Sequence, residues 1–128
     1  MVVVDTSVWI EFFRGSNANL VEQLRQLLDA DDVALAAPVR LELLSGATQR
    51  ELGRLRRLLS ALPLLLPSQT LWEKLDRWVV AARAKGHRFG TLDLMIAGIA
   101  DEHGAMLWSE DGDFARMARL GFVRLLSR

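Results

Sequence analysis

Short apolar runs alternating with longer amphipathic stretches constrain this chain more than any other feature. Val2-Val3-Val4 is a β-branched run suited to a buried parallel strand, and Val33 to Ala36, Ala105 to Trp108 and Phe122 to Leu125 repeat the theme. Pro63 and Pro67 bracket Leu64-Leu65-Leu66, which reads as a short strand or extended segment at a sheet edge. Between these runs the spacing predicts helices. Val8 to Phe13 forms a short one stopped near Gly15. A second opens on Asn19 with Glu22 as a capping pair and puts Leu20, Leu24, Leu27 and Leu28 on one face. Pro38 suits the first turn of a third, with Leu41, Leu44 and Leu43 turned inward toward Gly46. Thr48 to Leu62, Ser68 to Lys85, the nearly all-apolar Leu92 to His103, and Phe114 to Leu120 complete the set. Strands alternating with helices imply an α/β fold, a parallel sheet covered on both faces.

With 128 residues the chain has the size of one ordinary domain, so residues 1–128 are expected to share one core. The 51% hydrophobic and 25% charged content fits a globular protein rather than a disordered one. Zero cysteines exclude disulfides and any cysteine-ligated zinc or iron-sulfur site. No apolar stretch approaches the roughly 20 residues of a membrane span, and Met1-Val2-Val3-Val4 is no basic leader, so the expected location is cytoplasmic. The formal net charge of zero gives no global attraction to nucleic acid, and a polyanion must be held locally. Two basic groups offer themselves. Arg50, Arg54, Arg56 and Arg57 crowd one helix and suit a solvated face. Arg83, Lys85, His87 and Arg88 lead directly toward Asp93, where they are either a charged loop or a contact for phosphates.

The topology decides where the acids go. In a parallel α/β sheet the C-terminal strand ends form one edge, where ligands bind. Asp5 and Asp111 follow strands directly, with Asp113 close behind. Glu42 lies in the first turns of the helix after the second strand, and Asp93 begins the helix that runs back to feed Ala105. All converge on one edge. Gathered carboxylates repel, and a hard divalent cation is the usual physical reason to keep them together. Each acid alone has another explanation, since Asp at a helix start accepts bonds from free backbone amides. Glu42, among Leu41, Leu43 and Leu44, fits that explanation least.

These residues resemble the PIN domain family, and within it the VapC toxins. Val3-Val4-Asp5-Thr6-Ser7-Val8-Trp9-Ile10 is similar to the family's opening. Glu42-Leu43-Leu44-Ser45-Gly46, Asp93-Leu94-Met95-Ile96-Ala97 and Ser109-Glu110-Asp111-Gly112-Asp113-Phe114 follow in order, so the likeness spans nearly the whole chain. It implies a three-layer α/β/α fold with a central parallel sheet of about four or five strands. The implied activity is a metal-dependent endoribonuclease, the toxin of a type II toxin-antitoxin pair. Asp5, Glu42 and Asp93 match the family's acidic positions, and Asp111, with Asp113 as second choice, matches the fourth. These acids would bind Mg²⁺ or Mn²⁺, with Thr6, Ser7 and Ser109 in hydrogen-bonding support or as ordinary helix caps. Arg83, Lys85 and Arg88 would touch the RNA backbone. The resemblance also implies a homodimer or higher toxin-antitoxin assembly, and an antitoxin segment held in a groove near the first helices. Trp9, Phe12 and Phe13, and Trp72 with Trp78, would serve such interfaces or the core.

Rivals fit less well. A haloacid dehalogenase-type phosphoryl transferase needs a second Asp two residues after the first, where Ser7 stands, and a phospho-receiver needs a late lysine opposite an acidic pair. A non-catalytic PIN-like module that binds RNA or protein is the alternative of another class, although every acid of the motif is present.

Overall fold

The Val2–Val4 run lies in the middle of the sheet. In the computed structural model, which describes residues 1–126, it forms β1 and pairs in parallel on one side with β2 (Val33–Ala36) and on the other with β4 (Met106–Trp108). The two-residue β3 (Leu64–Leu65) pairs in parallel with β2, giving the strand order β3-β2-β1-β4. Every residue of β1 and β2 is buried. A strand covered on both faces needs apolar side chains on both, which explains continuous rather than alternating hydrophobicity. Pro63 has no backbone N–H to offer a neighbour, and its carbonyl accepts from Leu35 N at 2.8 Å, at the mouth of edge strand β3.

Helices cover the sheet: α1 (Thr6–Arg14), α2 (Ala18–Asp29), α3 (Ala37–Gly46), α4 (Gln49–Ser60), α5 (Leu71–Ala84), α6 (Thr91–Glu102) and α7 (Gly112–Arg119). The central helix is α6, whose Leu94 and Ile96 to Ala100 are all buried. It packs against α5 at a close approach that a glycine permits. A Cβ on Gly98 would stand 2.9 Å from Leu71 Cδ1 and 2.9 Å from Leu75 Cδ2.

Three expectations are corrected. The cap of α2 is Asn17, whose side chain accepts from Leu20 N at 3.1 Å, and not Asn19. In α3 the inward residues are Pro38, Val39 and Leu43, while Leu41 is 67% exposed. Val39 and Leu43 are four apart and share a face, and Leu41 lies between them on the opposite one. The fifth strand expected over Phe122 to Leu125 is reduced to one parallel bridge between Leu107 and Leu125, with Leu107 N donating to Arg124 O and Leu126 N to Leu107 O, both at 2.8 Å. Phe122 stacks on Trp78 with ring centroids 4.4 Å apart. That contact packs the start of the segment against α5, and pairing with β4 is confined to the single bridge.

Candidate metal centre and its flanking surfaces

At the C-terminal edge of the sheet, β1 ends in Asp5, the one buried charged side chain among the described residues at 5% exposure. Its backbone N–H donates to Trp108 O at 2.8 Å, which ties the ends of β1 and β4 together. Asp5 occupies the N-cap position of α1, yet its side chain makes no capping bond. Its Oδ2 instead accepts from Ser7 Oγ at 2.9 Å and from Ser109 Oγ at 2.8 Å. Two hydroxyl donors stabilise an ionised carboxylate that is otherwise costly to bury. The same hydroxyls accept in turn, Ser7 Oγ from Glu110 N at 3.1 Å and Ser109 Oγ from Asp111 N at 2.9 Å. The loop after β4 is thereby locked to the loop after β1.

Glu42, half-buried on α3, accepts from Thr6 Oγ1 at 2.7 Å. Thr6 and Ser7 therefore divide their work, one hydroxyl for Glu42 and one for Asp5. Asp111 does cap α7, accepting from Asp113 N at 2.9 Å, so the helix-start explanation holds for it alone. Asp93 sits in the first turn of α6, whose N-cap is Gly90, without a side-chain capping bond.

Asp93, Asp111 and Asp113 each place one carboxylate oxygen within 4.8 Å of the other two. A Mg²⁺ ion with oxygens at about 2.1 Å holds them at most about 4.2 Å apart, so modest rotamer adjustment brings this trio onto one ion, and the all-oxygen donor set suits a hard cation. Asp5 and Glu42 stand outside the trio. Their charges still reach it: the Asp93 carboxyl is pushed up to about 6, first by burial and then by the charges of Asp5, Asp111, Glu42 and Asp113. Negative charge thus exceeds what the site's own residues neutralise. Among the described residues one cation pairs with an acid of the trio, Arg116, whose Nη1 lies 2.8 Å from Asp113 Oδ1. Sequence reasoning missed it, although the spacing of three on a helix was a usable signal.

Two surfaces flank the acids. Beside Glu42 an open groove of about 940 Å³ is lined by Ile10, Phe12 and Phe13 of α1 and by Arg50 and Arg54 of α4. Trp9 is buried beneath it and Phe13 is 46% exposed, as core packing with one exposed ring requires. Arg50 and Arg54 therefore border a groove rather than open solvent alone. Thr91 and Leu94, two and one positions from Asp93, line a smaller cleft with Arg83, at the end of α5, and Arg88, before α6, whereas Lys85 is an exposed C-cap outside its lining. Trp72, Val79 and Val80 remain exposed on α5.

The PIN domain profile matches residues 2–120. This chain belongs to the PIN domain family. Among its PIN relatives, VapC ribonuclease Mb1587 of Mycobacterium bovis is 33% identical over 125 residues, covering 94% of this chain and 93% of that one. Solved structures share the fold. FitAcB from Neisseria gonorrhoeae superposes with a TM-score of 0.82 at 22% identity, over 99% of this chain and 97% of the other. VapBC-5 of Mycobacterium tuberculosis, described as a member of the VapBC family of toxin-antitoxin systems, gives 0.67 at 24% identity, over 98% and 97%. Among the described residues of this PIN domain no helix is long and apolar enough to cross a membrane.

Proposed function

We propose that this PIN domain is the toxin of a type II toxin-antitoxin pair, a single-domain cytoplasmic endoribonuclease that hydrolyses RNA phosphodiester bonds with Mg²⁺ or Mn²⁺. The observation that carries the reading is the approach of Asp93, Asp111 and Asp113 to within 4.8 Å at a sheet edge where Asp5 and Glu42 add further negative charge. Asp93, Asp111 and Asp113, with Asp5 beside them, are the residues to hold the ion. When bound, the ion supplies Lewis acidity that makes a water nucleophilic near neutral pH and offsets charge gathering on the attacked phosphate.

The chain's own part is positioning. Ser7 and Ser109 fix Asp5, and Thr6 fixes Glu42, so these carboxylates present defined oxygens rather than a mobile brush. Arg83, Lys85 and Arg88 supply contacts to backbone phosphates, which set register on the RNA without reading its sequence. No side chain need form a covalent bond to substrate. The curated relative's name, VapC ribonuclease, supports the activity, and the toxin-antitoxin description of VapBC-5 supports an antitoxin partner. The groove suits that partner, because an apolar segment lying on Phe12 and Phe13 meets Glu42 there, with which a basic side chain would pair. The exposed Trp72 and Val80 of α5 suit a homodimer contact.

Incubation of cellular RNA with the purified protein in Mg²⁺, Mn²⁺ or EDTA tests the reading, with Asp5→Asn in parallel. Metal-dependent fragments from the wild type alone are expected. A folded wild type that cuts nothing under any condition returns the chain to the non-catalytic binding modules.

A further inference from the structure

The cleft between α5 and α6 has more in it than two arginines. It encloses about 300 Å³, with Arg83, His87, Arg88, Phe89 and Thr91 around an apolar floor that includes Ala82 and Leu94. Gly86, at φ +79, turns the chain through a left-handed conformation open to glycine, and His87 N then donates to Ala82 O at 2.9 Å. The turn sets the His87 ring against Phe89, centroids 5.4 Å apart and planes 15° from parallel. Among the described residues neither Arg83 nor Arg88 forms a salt bridge. Planar rings beside unpaired cations match the two surfaces of a nucleotide, a π-face and a phosphate.

We infer that this cleft is a subsite for one nucleotide of single-stranded RNA, with its base joining the His87–Phe89 stack and its phosphate held by Arg83 and Arg88. The substrate class rests on the ribonuclease reading above, and the inference adds a base contact to what would otherwise be phosphate contacts alone. Placement favours it. Thr91 and Leu94 face the cleft while Asp93, on the same first turn of α6, belongs to the acids. The two sites thus open from neighbouring positions on one turn of α6. RNA in the cleft delivers a neighbouring phosphate to the carboxylates, so the cleft governs where a strand is cut. A cleft of this volume takes a splayed base and no duplex, which directs the enzyme to loops and unpaired ends.

The test measures binding of a labelled single-stranded RNA of about ten nucleotides, by anisotropy in EDTA over a salt series. Wild type is compared with His87→Ala, Phe89→Leu and Arg88→Ala. Phe89 also packs against the core, so leucine keeps its bulk while removing the ring, and circular dichroism verifies the fold. His87→Ala and Phe89→Leu are expected to weaken binding roughly 5- to 100-fold without changing its salt dependence. Arg88→Ala should lower the salt slope by about 0.7, the share of one single-strand phosphate contact. Folded ring variants that bind like wild type overturn the subsite, even if wild type cleaves RNA with metal. Ring variants that leave RNA binding intact but change self-association in sedimentation give the cleft to a second copy and likewise overturn it. RNA that binds through the rings yet is never cut overturns the ribonuclease reading and leaves the subsite standing. A wild type that neither binds nor cuts overturns both.

Discussion

Replacing Asp93 by asparagine should make the metal-free protein more stable at neutral pH while removing its activity. The Asp93 carboxyl is raised from 3.8 to about 6 by burial and by the charges of Asp5, Asp111, Glu42 and Asp113. At about 1.4 kcal/mol per pH unit this corresponds to some 3 kcal/mol against the ionised form. Asp93 is partly exposed, and solvent screening cuts the figure to about 1.5 kcal/mol. Its place in the first turn of α6 works the other way, since a negative charge there gains about 0.3 to 1 kcal/mol from the helix dipole. The balance is a stabilisation of about 1 kcal/mol, a rise of roughly 3 to 5 °C in melting temperature for a chain of this size.

The sign with pH follows from linkage. Because folding raises this pKa, the native state binds more protons than the unfolded chain between pH 3.8 and about 6, and stability falls as pH climbs through that window. The advantage of the Asp93→Asn variant over the wild type should therefore be present at pH 7 and vanish near pH 4. Thermal melts in EDTA at the two pH values measure it. Added Mn²⁺ should reverse the order at pH 7, because only the wild type has the full ligand set and gains from mass action. If Asp93→Asn is less stable than wild type at pH 7 in EDTA, Asp93 is a helix-start residue and the argument from gathered charge is wrong.

Ser109→Ala removes the donor to Asp5 Oδ2 and the acceptor of Asp111 N, so urea unfolding should show a loss of about 1 to 2 kcal/mol. Cleavage by the same variant should fall roughly 10- to 100-fold, as misplacement of a site group implies. Arg116→Gln takes the tethered cation from Asp113; because that pair is exposed, stability should move by less than about 0.5 kcal/mol. Mn²⁺ titrated calorimetrically should bind this variant more tightly, since the arginine no longer competes for the carboxylate. Gly98→Ala forces a methyl to within 2.9 Å of Leu71 and Leu75, and despite the better helix propensity of alanine it should cost about 1 to 2 kcal/mol in denaturant unfolding.

The sheet and the acidic edge were legible because both follow from short-range pattern plus one topological rule. Runs such as Val2–Val4 and Val33–Ala36 have apolar side chains on both faces, which only a covered parallel strand needs, and the edge then collects Asp5, Asp93 and Asp111 without further information. The last strand was not legible. Phe122 to Leu125 has three apolar residues around Arg124, but its Phe122 stacks on Trp78 and only Leu125 bridges to β4. The inner face of α3 was obscured by three leucines within four residues, which cannot all point one way. Within the site, residue types revealed which groups gather and spacing could not reveal how they divide. The pairing of Ser7 and Ser109 on one oxygen of Asp5 joins residues 102 positions apart, and no local pattern encodes it. The His87–Phe89 stack is close in sequence, yet it depends on the turn at Gly86 and the anchor to Ala82.

The central claim is that a divalent cation held by these carboxylates cuts RNA, and the direct measurement follows metal occupancy and cleavage in the same samples. Mn²⁺ bound to the wild type, counted by electron paramagnetic resonance through a titration from EDTA upward, should rise together with the rate of RNA cleavage, and both should collapse in Asp93→Asn. Cleavage at full rate in EDTA, or Mn²⁺ filling the site of a folded protein that leaves RNA uncut, would contradict the account.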